Sequence, residues 1–339
     1  MKILIASRGK LGDLLLTTPM LRVLRTAHPD AEIHLLANEY NVWVADGNDC
    51  IDRRWAYGRA RTGRKIDFGA AWRQVTMYAS LKMQRLEVAI AAGGFESRRA
   101  ISRTLHAGAE RNIAYAVAEK LRRKVSDPLI PNAALHESVR MAKMLEPIGI
   151  TLPAVMPAPE FHPPQSMLDS ADRWLTREGL SPGGYVLIGM GTRVPANQPS
   201  AEQILRWAAW VKENHALDTV FIWTPGAKDD PLYPGDDDIA QQVLDAKRSY
   251  LHPFRGQLKE AIGMVLRARA SVLPDSGMMH FAAASNGGVV GLFGDVTINS
   301  NPVQWAPLGP RASYLETDKS VKEISDAVVY ERLARLITS

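Results

Sequence analysis

The sequence predicts an α/β chain of two doubly wound halves, each a parallel sheet flanked by helices. Three observations carry that reading. Short β-rich runs alternate with helical segments through the first half, a proline-rich stretch interrupts them, and the alternation then resumes. The 339 residues suffice for two ordinary domains and exceed what one core comfortably holds. The expected division is 1–160 and 161–339, and the final helix could pack back on the first half.

Lys2–Ser7 (KILIAS) reads as a buried strand bounded by the glycine-containing turn at Arg8–Asp13. Leu14–Ala27 then spaces Leu14, Leu15, Met20, Leu21 and Leu24 as a helix does, and His28-Pro29 stops it. Glu32–Ala37, Leu86–Ala91 and Asn112–Tyr115 read as later strands. Thr151–Gln165 (TLPAVMPAPEFHPPQ) holds five prolines and no helical or strand period, the composition of a semi-rigid linker. Beyond it, Tyr185–Met190, Thr219–Trp223, Ala270–Pro274 and Val289–Phe293 read as strands. Ala201–Asn214, Asp238–Ala246, Leu258–Leu266 and Ser276–Ala284 read as helices.

Hydrophobic residues at 46% and charged ones at 23% are ordinary for a soluble globular protein. The single cysteine, Cys50, excludes an internal disulfide and a multi-cysteine zinc site, and reads as a packing residue. Met1–Ser7 lacks a basic leader, and no stretch approaches the about eighteen apolar residues of a membrane-spanning helix. The expectation is a cytoplasmic protein, at most peripheral to a membrane. Residues 1–165 carry 24 lysines and arginines against 16 acidic residues, a net of +8, and the remainder carries −3. That asymmetry is either surface variation or attraction to phosphates, sugar carboxylates or an anionic membrane. The basic residues are scattered and no nucleic-acid-binding motif accompanies them, so nucleic acid is not an expected partner.

Two segments carry chemistry. Ser7-Arg-Gly-Lys-Leu-Gly-Asp13 joins a strand to a helix but lacks both the P-loop pattern and the GxGxxG fingerprint. It leaves Asp13 at a helix start, as a cap or as a general base at a strand's carboxyl end. Pro274-Asp-Ser-Gly-Met-Met-His280 is a second strand-to-helix junction, where free N–H groups and the helix dipole favour pyrophosphate. Taken singly, Asp275 and Ser276 could be caps and His280 a core histidine. Asp236-Asp-Asp238 lies just before a helix, where carboxylates favour the dipole, and is not read as a metal motif. Arg59, Arg61, Arg64 and Lys65 form a basic loop, either solvated surface or a contact for acidic groups.

Together the two segments resemble the ADP-heptose:lipopolysaccharide heptosyltransferases, glycosyltransferase family 9. The opening KILIASRGKLGDLLLTTPMLRVLR resembles that family's strand, LGD loop and LLxTPxLRxLR helix. PDSGMMHFAAA, followed by VVGLFG and Trp305-Ala-Pro-Leu-Gly309, resembles its second signature. His136, opening a helix after a basic stretch, also sits where the family has a counterpart. The resemblance is collinear over about residues 1–310. It implies the GT-B fold, two Rossmann-like domains facing a central cleft, with an N-terminal acceptor domain and a C-terminal donor domain. It also implies an inverting transfer of heptose from ADP-heptose to an acidic glycolipid, the lipopolysaccharide inner core, with no metal and no cofactor.

Carried over by position, Asp13 matches the family's base. Asp275, Ser276, Gly277, Met278 and His280 match its donor-diphosphate loop, and Thr192 and Arg193 match a pair beside the donor phosphates. Asp229 or Asp230 matches an acidic residue near the ribose. Lys10, Gly12, Arg61 and Arg64 fall on the acceptor side. One departure stands out: the family's Lys-x-Trp-Pro is here Ala196-Asn-Gln-Pro199, without lysine or tryptophan. Three rivals remain in view: a family-9 enzyme with another nucleotide sugar, a sugar-nucleotide epimerase, and a non-catalytic sugar-nucleotide-binding protein.

Overall fold

The run KILIA has no polar partner of its own, and it finds one on both sides as the centre of a parallel sheet. This is strand β1 (Lys2–Ala6) in a computed structural model that describes residues 1–7, 9–58, 61–62, 65–230, 234–297 and 301–338. The chain divides into two compact units, Met1–His162 and Pro163–Ser339.

In the first unit β1 is joined by β2 (Glu32–Asn38), β3 (Arg53–Tyr57), β6 (Val88–Ile90), β7 (Arg111–Tyr115) and β8 (Asp127–Leu129). The order is β3-β2-β1-β6-β7-β8 and every pairing is parallel, with Ile3 opposite Ile33 on one side and Val88 on the other. Two short strands, β4 (Arg61–Thr62) and β5 (Lys65–Ile66), pair antiparallel apart from this sheet. The helices are α1 (Leu11–Leu15), α2 (Thr18–Ala27), α3 (Phe68–Met83), α4 (Arg98–Ala107), α5 (Glu119–Arg122) and α6 (Glu137–Lys143).

The second unit repeats the plan with β9 (Tyr185–Gly189), β10 (Asp218–Ile222), β11 (Leu251–Phe254), β12 (Ala270–Pro274), β13 (Val289–Phe293) and β14 (Ala312–Glu316). Their order is β11-β10-β9-β12-β13-β14, again all parallel. Its helices are α7 (Gln165–Arg177), α8 (Ala201–His215), α9 (Asp237–Asp245), α10 (Leu258–Arg267), α11 (Gly277–Ala283), α12 (Pro302–Trp305) and α13 (Asp326–Thr338). Crossover helices cover both faces, so the central strands are buried throughout and read as unbroken apolar runs.

Two expectations change. The single helix over Leu14–Ala27 is two helices: Pro19, in the first turn of α2, has no N–H to continue the ladder. The break is closed by Thr17 Oγ1 donating to the Asp13 carbonyl at 2.9 Å and Thr18 Oγ1 donating to the Leu15 carbonyl at 2.8 Å. The proline-rich stretch is irregular as expected, yet its end is fastened to the first unit. Glu160 pairs with Arg22 at 2.7 Å and its N–H donates to Thr18 Oγ1 at 2.8 Å. The last helix, α13, contributes to the second unit's core. Val329, Leu333, Leu336 and Ile337 form one apolar stripe, and it is taken up beside Trp207 and Val290. Among the described residues, no helix is long and apolar enough to cross a membrane.

Candidate active site

In a doubly wound sheet the connections leave in opposite directions at one point, between the first strand and the fourth in spatial order. Ligands bind there, at the carboxyl ends of the strands. That point falls between β1 and β6 in the first unit and between β9 and β12 in the second. Lys10, Gly12 and Asp13 follow β1, Thr192 and Arg193 follow β9, and Asp275–His280 follow β12, whereas Asp229 follows β10 and Arg61 lies in β4.

In the first unit the chain leaves β1 through Ser7 and Gly9 and enters α1, whose third residue is Asp13. Asn41 Nδ2 donates to the Gly9 carbonyl at 2.8 Å, which fixes the turn. The Lys10 N–H donates to Asp13 Oδ2 at 2.6 Å, so the carboxylate folds back over its own helix start. Gly9 has to be glycine for this, because a Cβ there would overlap the Asp13 side chain. Asp13 is half-buried and its pKa is raised, chiefly by burial, with the Lys10 N–H and the Lys10 charge opposing. Lys10 is exposed and Gly12 is buried within α1. Arg61 lies in β4 with its side chain outside the described residues, and Arg64 lies outside them altogether.

A residue that sequence reasoning passed over joins this place from α6. Glu137 follows His136, whose Nδ1 accepts from the Ser138 N–H at 3.2 Å and caps the helix. The Glu137 carboxylate is buried, accepts from the Gly94 N–H at 2.6 Å just beyond β6, and pairs with Arg140 at 2.7 Å. Arg140 is wholly buried, lies over the Phe95 ring at 4.1 Å and donates to the Gly94 carbonyl at 3.3 Å. Burial pushes the Glu137 pKa up against the pull of Arg140 and the Gly94 bond, and the Asp13 charge pushes it further. Two carboxyl groups that sense each other thus flank the ends of β1 and β6. The run HESVR held the signal, but only as a glutamate in a helix's first turn.

In the second unit, Thr192 follows β9 and Asp275 follows β12, and the structure brings them together. Thr192 Oγ1 donates to the Asp275 carbonyl at 3.2 Å and accepts from the Val194 N–H at 3.3 Å. Ser276 is the residue before α11, and its Oγ is buried with no hydrogen-bond partner among the described residues. Gly277 and Met278 open the helix, and His280 is buried one turn in. Arg193 is exposed, with no ion-pair partner among the described residues. The departure at Ala196–Gln198 is a short turn whose polar side chains are engaged. Asn197 Oδ1 accepts from the Gly294 N–H at 2.7 Å, and Gln198 Nε2 donates to Asp236 at 2.6 Å.

Asp229 is exposed on the turn after β10. The carboxylate drawn to the strand ends is Asp236, which also accepts from the Thr224 N–H at 3.3 Å and whose pKa burial raises. Asp237 accepts from Trp223 Nε1 at 2.7 Å and pairs with Arg255 at 3.0 Å, so this acidic run is tied to protein groups.

Residues 207–328 match the family model described as glycosyltransferase family 9 (heptosyltransferase). The second unit carries a family 9 domain. The matched span contains the second of the two motifs, Pro274–His280, and the domain it marks is that of a glycosyltransferase enzyme. Among solved structures, a family 9 glycosyltransferase from Veillonella parvula superposes with a TM-score of 0.82 at 19% identity, covering 99% of this chain and 97% of that one. The E. coli heptosyltransferase WaaC with ADP gives 0.76 at 13% identity, covering 99% of this chain and all of the other. E. coli ADP-heptose lps heptosyltransferase II gives 0.74 at 18% identity, over 100% and 99%. These likenesses show the fold, two parallel six-stranded sheets of the GT-B type, over the whole chain carrying the family 9 domain. No curated protein sequence matches.

Proposed function

We propose that the chain is an inverting, metal-independent heptosyltransferase, moving heptose from ADP-heptose to a hydroxyl of an acidic lipopolysaccharide core acceptor. The observation that carries this is the Asp13 carboxylate, half-buried at the end of β1, held by the Lys10 N–H and with its proton affinity raised. A base working near neutral pH needs that rise, since proton transfer is most effective when the pKa approaches the working pH.

Asp13 takes the acceptor proton as the hydroxyl oxygen forms its bond to the anomeric carbon. The bond from that carbon to the diphosphate oxygen breaks on the opposite face, and ADP leaves with the electron pair. Charge grows on the departing diphosphate, so positioning and electrostatic stabilisation supply most of the rate. Thr192, Arg193 and the Asp275–His280 loop take that role, and Lys10, Gly12, Arg61 and Arg64 serve the acceptor. The commitment of Asp236 and Asp237 to Gln198, Thr224, Trp223 and Arg255 favours a reaction without a carboxylate-bound cation. The acceptor being a glycolipid, we place the enzyme in the cytoplasm, peripheral to the inner membrane.

The experiment is steady-state transfer with a panel of nucleotide sugars and an inner-core acceptor, comparing the wild type with Asp13→Ala. ADP-heptose is expected to turn over, and Asp13→Ala to lose about 10²–10⁴ in rate while keeping donor affinity. Near wild-type turnover in the variant would reduce Asp13 to a helix cap. The engaged Ala196–Gln198 turn, with no lysine, favours one second reading, a different nucleotide sugar as donor. Turnover of another donor in the same panel would select it.

A further inference from the structure

Helix α3 has two apolar faces, and only one of them is used. Ala70 and Leu81 are buried, and Met77 and Tyr78 pack on the cluster around Leu4, Leu36 and Ala89. On the far side, Phe68, Trp72, Val75, Ala79 and Met83 recur at the spacing of one helical stripe, within about 80° of arc. All five are exposed, with Phe68 at 80%, Trp72 at 69%, Val75 at 60% and Met83 at 79%. Scattered apolar residues on a surface are ordinary, but an aligned stripe over the whole length of a helix marks a contact surface.

The surroundings say what kind. Residues 68–86 and 98–109 contain Arg73, Lys82, Arg85, Arg98, Arg99 and Arg103 and no acidic residue. An open groove of about 490 Å³ runs between α3 and α4, lined among others by Gln74, Tyr78, Arg98, Arg99, Arg103 and His106. Asp67, which caps α3, and Glu87, Glu96 and Glu110 lie just outside these two segments, so the cations hold the helix bodies and the acids only their ends. An apolar stripe with an aromatic anchor, flanked along the helix by cations, is the pattern of a helix lying in a membrane interface. A second copy of this face would bring mostly cations against cations, with Asp67 at the helix start as the acidic group beside the stripe.

We propose that α3 docks on an anionic phospholipid bilayer. The Phe68–Met83 stripe sits at the acyl-chain boundary, and the arginine-lined groove beside it receives lipid phosphates. This deepens the peripheral membrane association proposed above, naming its surface and its lipid, and does not depend on which sugar is transferred.

The test is co-flotation of the full chain with vesicles of phosphatidylglycerol and phosphatidylethanolamine, or of phosphatidylcholine alone. Wild type is expected on the anionic vesicles, at least tenfold weaker on the neutral ones, and weaker again as salt rises. The variant Phe68→Ser/Trp72→Ser/Val75→Ser should bind anionic vesicles at least tenfold more weakly with an unchanged melting midpoint. Arg98→Glu/Arg99→Glu should lose the preference for anionic lipid. Equal binding by wild type and the serine variant, or none by wild type at low salt, overturns the proposal. Self-association that the serine variant abolishes, without vesicle binding, overturns it in favour of a second copy. Flotation needs neither donor nor acceptor, so its failure is separate from any failure of the transfer reaction.

Discussion

Asp13 holds its proton more tightly folded than unfolded, because burial outweighs the Lys10 N–H. Ionisation at neutral pH therefore costs the fold something; the cost begins to shrink as the pH falls through the raised pKa and is gone below the unfolded-state value. Asp13→Asn keeps an acceptor for the Lys10 N–H and removes the charge. It should melt higher than wild type at pH 7 and no higher at acid pH, a comparison that differential scanning calorimetry makes directly. The acid limb of the wild-type pH–rate profile should lie above the ordinary aspartate range. Asp13 was legible because a strand, a glycine turn and a helix start are all written within eleven residues. Glu137 was not, since its partner Gly94 lies 43 positions away. Glu137→Gln leaves Arg140 buried without its counter-charge, which should cost about 3–5 kcal/mol in a urea titration. A loss under 1 kcal/mol would mean that the pair relaxes into water. For the donor phosphates, Arg193→Ala should remove about 2–4 kcal/mol of transition-state stabilisation, and Arg193→Lys should recover only part of it. Ala196 is half-buried in its turn, so Ala196→Lys rescues Arg193→Ala only if the new chain reaches the phosphates. No effect from either variant on kcat/KM would overturn this account of the leaving group.

Among elements, the eight central strands follow from apolar runs, while the short β4–β5 pair escaped and so did four strands of the two large sheets: β3, β8, β11 and β14. All four are sheet edges. RRWAY and ASYLE are half-exposed, and DPL and LHPF carry a proline inside the strand, whereas the central β12 holds its proline only at the last position. An edge is stabilised by one neighbour and wetted on the other side, so its sequence carries little period. The α1–α2 break was hidden for the opposite reason: the apolar spacing runs straight through it, and only Pro19 and the two threonine hydroxyls interrupt the backbone. The β1–α1 turn has less tolerance. Gly9→Ala should displace the Asp13 carboxylate and reduce kcat by at least about tenfold, with little change in far-ultraviolet circular dichroism. Unchanged turnover would show that the turn can yield.

At the scale of the molecule, one strand order is used twice, and Asp13 in one unit and Thr192 with Asp275 in the other lie at the same topological point of each copy. ADP should therefore raise the melting midpoint through the second unit, by about 2.7 kcal/mol of stabilisation at a hundredfold excess over Kd. Ser276→Ala should keep most of that shift and Arg193→Ala less of it. A nucleotide screen showing no shift would count against the donor site. The lone thiol has a use of its own. Cys50 is wholly buried in the first unit, and burial pushes its pKa up to about 11, so in the native chain it is both hidden and unreactive. An aromatic disulfide reagent will modify it only when that unit opens. With only this one cysteine in the chain, the labelling rate under native conditions becomes a clock for the first unit's unfolding, read without interference from the second. A cysteine placed at an exposed position such as Phe68 would react at once and on its own, giving a dye site on the helix proposed to dock on lipid.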